Sequence, residues 1–416
     1  MKKFLKNIFI VILIIFFLIA FSSSYKSLSI DNLAIVVAMG IDISDNNAFK
    51  ISFQFTTPSS VSESGTSEKA PSKIYSVDAS SISSGINLMN SYVGKEINLS
   101  HCKLIAFSEE VAVKGISKEI YTLINDTQVR PSTNIVITKC SADYYLENSK
   151  PLFENLLTKY YEVFSNSSQF TGYSSNATIG NFFNSLICHS CQPYAILGGV
   201  TTADDENKST SSSNESNQST NAEKDSSAIS NASPLSNISN SENIGLAVFN
   251  DDVLVGELNS IETLSFLIIK NNLDGFLISV PNPSKTNSYM DLYLTPVNSV
   301  QTKVEIVNGS PYITIDCNFT GRIYSMENDS EYLDPKLLEQ ISDSCNSYLK
   351  SVLTDYLYKT SKNLQADING FGKLAHSHFA TTSDFDNYKW NEKYKDAFFN
   401  VNVNSSIKSS FLLTES

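Results

Sequence analysis

Residues 201–242 contain no aromatic side chain, and Ser, Asn, Thr and acidic residues dominate the run. Such a segment buries too little apolar surface to offset the entropy of ordering it. Cores must therefore be built from sequence on either side, and one continuous core over 416 residues is the least expected outcome. The segment reads as a disordered linker dividing the chain, with a low-complexity insertion inside one domain as the alternative. Outside it the composition suits folded domains: apolar residues are 41% and aromatics 11%, enough to fill real cores.

At the other end of the polarity scale, Lys2, Lys3 and Lys6 precede an uninterrupted apolar run over residues 8–21. This is an export leader, so the rest of the chain is expected beyond a membrane. Its fourteen residues rise roughly 21 Å as a helix, against roughly 30 Å of bilayer hydrocarbon. Ala20 and Ser22 supply the small residues a signal peptidase prefers, which favours cleavage. Phe4, Leu5 and Tyr25 can extend the run and a bilayer can thin locally, which favours a retained anchor. A buried core helix is the third reading, disfavoured by the lysine flank. Residues 1–24 are accordingly a signal peptide or signal anchor.

The net charge of −13 and a pI near 4.8 exclude nucleic acid as an expected partner. Six cysteines, at positions 102, 140, 188, 191, 317 and 345, are too sparse for a disulfide framework. Cys188 and Cys191 form a CxxC that suits two metal ligands or a redox pair, but no second pair stands at zinc spacing. A local disulfide or two unpaired thiols is the preferred reading. His101 and Cys102 are adjacent, so in a strand they point to opposite faces and do not form a nucleophile and base. His376 and His378 would share one strand face, which permits a metal, yet the local pattern offers no third ligand. No Gly-rich phosphate loop, GxSxG elbow or HExxH occurs. The chain therefore reads as a binding or scaffold protein without catalytic, cofactor or metal residues.

Periodicity predicts an α+β protein of two to three mixed domains after the leader. In residues 25–200 a hairpin pairs 33–41 with 50–55, and 59–72 is a polar surface loop. A helix with Ile82, Ile86, Met89 and Val93 on one face follows, then a strand at 103–107, a helix at 111–125, a strand at 134–138 and a helix at 152–164. Residues 201–243 are the linker. In residues 244–410 a hairpin pairs 245–249 with 253–258, and a helix covers 261–271. Strands follow at 276–280, 289–295, 300–307 and 312–324. Asp334 and Pro335 open a long helix whose apolar face is Leu338, Ile341, Cys345, Tyr348, Val352 and Tyr356. Strands at 367–370 and 398–403 close the chain, with the only tryptophan, Trp390, between them.

Several short runs occur together in order: residues 32–42 with Gly40 and Asp42, residues 98–103 with His101, then Arg130. Gly245, Gly256 and residues 367–372 with Asp367, Gly370, Phe371 and Gly372 follow. From about residue 28 to 406 the chain resembles the C subunits of spore nutrient-germinant receptors, the Ger(x)C family. The resemblance implies an elongated, non-enzymatic α+β protein on the outer face of the spore inner membrane, beside integral-membrane A and B subunits. Its motif residues mark fold, and none is carried over as germinant-binding. Members of that family carry a lipidated cysteine after the leader, whereas this chain has Ser22, Ser23 and Ser24 there and no cysteine before Cys102. A retained N-terminal hydrophobic anchor is the expectation that follows. An extracytoplasmic solute-binding protein, with a ligand cleft between two lobes, is the alternative from a different class. A thiol enzyme using Cys188 and Cys191 is the third.

Overall fold

The structure is a computed structural model that describes residues 2–22, 32–45, 48–56, 72–150, 157–163, 171–201, 240–325 and 335–408. Ser23 and Ser24, the 59–72 loop apart from Ser72, Asp334 and most of the 201–243 segment fall outside the described residues. The apolar N-terminal run lies within α1 (Lys2–Ser22), and among the described residues no helix is long and apolar enough to cross a membrane.

The first sheet is built from β1 (Leu33–Ile43), β2 (Phe49–Thr56), β3 (Ser72–Ala79), β4 (Glu96–Asn98), β5 (Leu104–Ser108), β6 (Asn134–Thr138), β7 (Tyr194–Thr201), β8 (Asn240–Asn250) and β9 (Val253–Leu258). Its order is β3-β2-β1-β5-β6-β7-β8-β9, with β4 also pairing β1. The centre, β1, β5, β6 and β7, is parallel, and the flanks are antiparallel hairpins. Every residue of β5 and β6 is buried, as a parallel strand covered on both faces requires. Helices α2 (Ile82–Val93), α3 (Glu109–Ala112), α4 (Ser117–Asn125), α5 (Ala142–Asn148), α6 (Leu157–Val163) and α7 (Ile179–Leu186) accompany this sheet. The single helix expected over 111–125 is two, because Gly115 takes φ +92° and turns the chain between α3 and α4.

The second unit opens with α8 (Ser260–Ile269), whose Asn259 and Glu262 make a reciprocal capping box. Strands β10 (Phe276–Pro281), β11 (Tyr289–Pro296), β12 (Gln301–Val307), β13 (Ser310–Ser325) and β14 (Phe398–Lys408) form a five-stranded sheet, with β14 parallel to β13 from Tyr312↔Phe398 to Arg322↔Lys408. Helix α9 (Pro335–Tyr358) packs on it. Its buried stripe is Leu337, Ile341, Cys345, Leu349, Leu353, Tyr356 and Leu357, rotated from the expected one. Steps of four residues advance the stripe by about 40° each, so the line of contact winds around the helix as it follows a twisted sheet. A π-helical turn (Lys359–Asn363), α10 (Phe371–Ala375), a 3-10 turn (His376–His378), α11 (Thr382–Tyr388) and α12 (Trp390–Tyr394) lead to β14.

The hairpin at 245–258, expected to open the second domain, instead completes the first sheet. Thr201 pairs with Asn240, so residues 202–239 connect neighbouring strands of one sheet. Alternation along β8 explains the placement. Ala247 and Phe249 join the first core, while Leu246 and Val248 join the second. A strand buried on both faces can serve as a wall shared by two cores.

Gly245 sits in this wall at φ +94°, and its N–H donates to the Tyr173 carbonyl at 2.7 Å. An added Cβ would stand 2.3 Å from the Leu258 carbonyl oxygen. Gly245→Ala is expected to cost at least about 2 kcal/mol, read from urea unfolding. Gly199→Ala is the control: a Cβ there meets nothing within 4 Å, and a change within about 1 kcal/mol is expected.

Candidate functional site at the junction of the two sheets

After the π-helical turn, Asp367 is carried into the interior, where it is 1% exposed. Its Oδ1 accepts from the backbone N–H of Gly370 at 2.8 Å and of Phe371 at 3.1 Å. Its Oδ2 accepts from Gly372 N–H at 2.8 Å and from Trp390 Nε1–H at 2.9 Å. The strand expected at 367–370 is therefore a loop: a short carboxylate captures successive N–H groups that a strand would have paired, and Gly370 at φ +75° makes their convergence possible. The captured donors include the first N–H groups of α10, so the carboxylate also caps that helix. Burial pushes the Asp367 carboxyl above the ordinary carboxylate range, while the four donors pull it down. At Gly372 a Cβ would lie 2.6 Å from both Ser190 Cβ and Trp390 Cδ1, so a side chain there has no room.

The first sheet grips this loop from the other side. Gln192 N–H donates to the Asp367 carbonyl at 3.0 Å, and Gln192 Oε1 accepts from Asp251 N–H at 2.5 Å. Asn250 Nδ2 reaches the Gln365 carbonyl at 3.4 Å. Leu364 fills the space over Gly256, its Cδ2 within 2.6 Å of where a Cβ would be. From the second unit, Tyr356 O–H donates to Asn369 Oδ1 at 2.5 Å, and Lys270 Nζ donates to the Asn369 carbonyl at 3.2 Å. Burial lowers the Lys270 pKa.

The CxxC stands beside the loop as a Cys188–Cys191 disulfide, with Ser190 between the two cysteines packed against Gly372. It presents no thiolate. Burial pushes the free thiols of Cys102 and Cys317 up to about 12 and that of Cys345 to about 11, so these are poor nucleophiles. The arrangement can hold two units together, and the imidazole it exposes is His189, between the two cysteines, with Nδ1 3.2 Å from Asp386 Oδ1.

The other motif residues lie elsewhere. Asp42 accepts from Ala142 N–H at 2.7 Å and Asp143 N–H at 3.1 Å, which caps α5, and burial pushes its carboxyl up. Gly40 lets α5 approach, since a Cβ would be 3.1 Å from Ala142 Cβ. Lys50 pairs with Asp143 beside them. Burial opposes ionisation of Asp143, but Lys50, Ser141 and the Tyr144 N–H together hold its pKa below 3.8. That contribution to stability is complete above the unfolded value and is lost as pH falls through the depressed one. His101 is exposed with Nδ1 3.0 Å from Ser100 Oγ, and Arg130 is exposed with its carbonyl accepting from Thr133 N–H.

His376 and His378 lie in the 3-10 turn, not a strand, and both are exposed; at three residues per turn, positions two apart do not share a face. Among the described residues no group of three or more His, Cys, Asp or Glu could hold a metal. An open depression beside α8 and α9 is lined by Glu262, Asp355, Tyr358 and Lys359, and Lys359 already pairs with Glu262 at 2.7 Å. Trp390, Gln192 and Asn369 were not singled out from sequence as site residues; only the solitary tryptophan carried a signal.

Asp367→Ala would strand four buried donors. A loss of at least about 3 kcal/mol is expected in urea unfolding. Because Trp390 is the only tryptophan and donates to Asp367, its fluorescence should also shift in the folded variant.

Residues 26–197 match the spore germination protein N-terminal domain family, and residues 244–410 match the family described as Spore germination B3/GerAC like, C-terminal. Spore germination protein KC of Bacillus subtilis (strain 168) is 21% identical over 390 residues, covering 92% of this chain and 90% of that protein. The crystal structure of the GerBC protein superposes with a TM-score of 0.47 at 14% identity, covering 89% of this chain and 96% of that one. The two family matches fall on the two halves that meet at Asp367, and the chain belongs to the GerAC-like, Ger(x)C family of spore germination proteins.

Proposed function

We propose that this protein is a non-catalytic C subunit of a nutrient germinant receptor, supporting the assembly and action of the membrane complex that triggers germination. Its partners are integral-membrane A and B subunits, and it sits on the outer face of the spore inner membrane, tethered by its N-terminal hydrophobic segment. The observation that carries this reading is the use made of the Asp367 motif. Asp367, Gly370, Phe371 and Gly372 are spent on joining two units, and the Asp367 carboxylate is buried with both oxygens engaged by N–H donors. Gly40 and Asp42 are likewise spent on seating α5. Residues used this way favour a rigid subunit that presents surfaces over an enzyme. A free-standing solute-binding protein would need a deep interlobe cleft, whereas the interlobe region around Asp367 is packed and hydrogen-bonded.

Deleting the gene should abolish or sharply slow germination to at least one nutrient, and the tagged chain should co-purify from spore membranes with multi-spanning proteins. Unchanged nutrient responses together with no membrane-bound companion would overturn the assignment. The Cys188→Ser, Cys191→Ser double variant separates this reading from a thiol enzyme. It should germinate normally and lose at most about 2 kcal/mol of stability, the amount expected for so short a cross-linked loop. Loss of germination at normal protein level would instead favour thiol chemistry.

A further inference from the structure

The parallel strands β1, β5 and β6 all begin at one edge of the first sheet, and that edge leads back to the leader. Only residues 23–32 separate Ser22 from Leu33, a reach of at most about 40 Å. Four cations gather along it. Lys95 is exposed and precedes Glu96, which pairs with Leu33 at the start of β1. Lys103 donates its N–H to Val37 and accepts at its carbonyl from Asn134, both at 2.9 Å. Arg130 is exposed on the loop that Thr133 ties to Cys102 at 3.1 Å. Lys73 is exposed opposite Phe55, which itself pairs with Val36.

None of these four has an ion-pair partner among the described residues. The carboxylates at this edge include Glu96, Asp126 and Glu162, which offset part of the charge: Asp126 accepts from Gln128 N–H at 2.8 Å, and Glu162 follows Tyr161, whose carbonyl accepts from Asn134 at the start of β6, with Lys159 one turn before it. Residues 57–71, which carry Glu63, Glu68 and Lys69, are outside the described residues and enter neither side of this balance. At the far end of the same strands the lysines are neutralised: Lys50 by Asp143, and Lys139 by Glu109 and Glu257. An excess of positive charge on one edge of a chain with net charge −13 sets a direction in an external field. Tyr92, 78% exposed at the end of α2 that leads into Lys95, adds an amphipathic ring of the kind favoured at a membrane–water boundary.

We propose that this edge, centred on Lys95, Lys103 and Arg130 with Lys73 and Tyr92 beside them, docks on the anionic headgroups of a phospholipid bilayer. The inference rests on the membrane placement proposed above and adds which face meets the lipid. His101 and Arg130, the two motif residues that neither the junction nor α5 uses, both belong to this edge. Each basic residue held near an anionic surface favours docking by roughly fivefold, while the acidic remainder of the chain is repelled.

The test uses the full chain with two kinds of vesicle: phosphatidylcholine alone, and phosphatidylcholine with phosphatidylglycerol at about two to one. Flotation reports attachment through the leader, and amide hydrogen exchange reports the edge. Slower exchange over residues 95–103 and 126–133 is expected on the anionic vesicles only, and high salt should remove it without releasing the chain. A Lys95→Gln, Lys103→Gln, Arg130→Gln variant should lose this protection, whereas Lys350→Gln on α9 should keep it. If the triple variant fails to fold, Lys73→Gln with Lys95→Gln, both fully surface positions, should still reduce the protection severalfold. Flotation with equal exchange on both vesicles overturns the docking edge while leaving membrane attachment standing. Protection without flotation on neutral vesicles supports the edge and rejects the anchor, and neither signal rejects both.

Discussion

A carboxylate taken out of water is tolerated only where donors replace its hydration, and at Asp367 four N–H groups do so from three successive backbone positions and one indole. The cost of that burial is what makes the loop specific. Any displacement of Gly370, Gly372 or Trp390 leaves a charge or a donor without a partner, so the alternatives lie well above the native arrangement. The ring is closed from the first sheet by Gln192 and Ser190 and from the second by Lys270 and Tyr356. The geometry of the junction, and hence the relation of the two sheets, depends on this one buried group.

The shared strand β8 supplies the hydrophobic counterpart. Its two faces feed two cores, so the units are joined by continuous apolar burial as well as by the polar lock. Family boundaries that place a division near residue 244 therefore do not coincide with a gap in packing: β8 and β9 extend the first sheet, while their inward residues also line the second.

Much of the fold was legible because periodicity is local. The strands from Phe276 to Ser325 and helix α9 fall within a few residues of their expected limits, since alternation and the three-and-four pattern report which face is buried. Strand β3 is not legible because as an edge strand it is mostly exposed and carries little alternation, and β7 is not because Gly198 and Gly199 interrupt its apolar run. At the junction, Asp367 and its glycines stood out as a motif, but Ser190, Gln192 and Trp390 come from segments far away in sequence. Nothing in a run of residues states which distant group will complete a carboxylate's shell.

The sequence by itself determined the apolar N-terminal run, the mixed α and β content, the absence of a cysteine before Cys102 and the resemblance to the family. These are properties of local composition and spacing. Only the tertiary structure decided that residues 202–239 join paired strands, that Asp367 sits in a loop and not a strand, and that Lys95, Lys103 and Arg130 share an edge. The physical reason is common to all three. Strand pairing and burial are settled by competition among distant segments for the same hydrogen bonds and the same apolar surface, and that competition has no signature in any one of them.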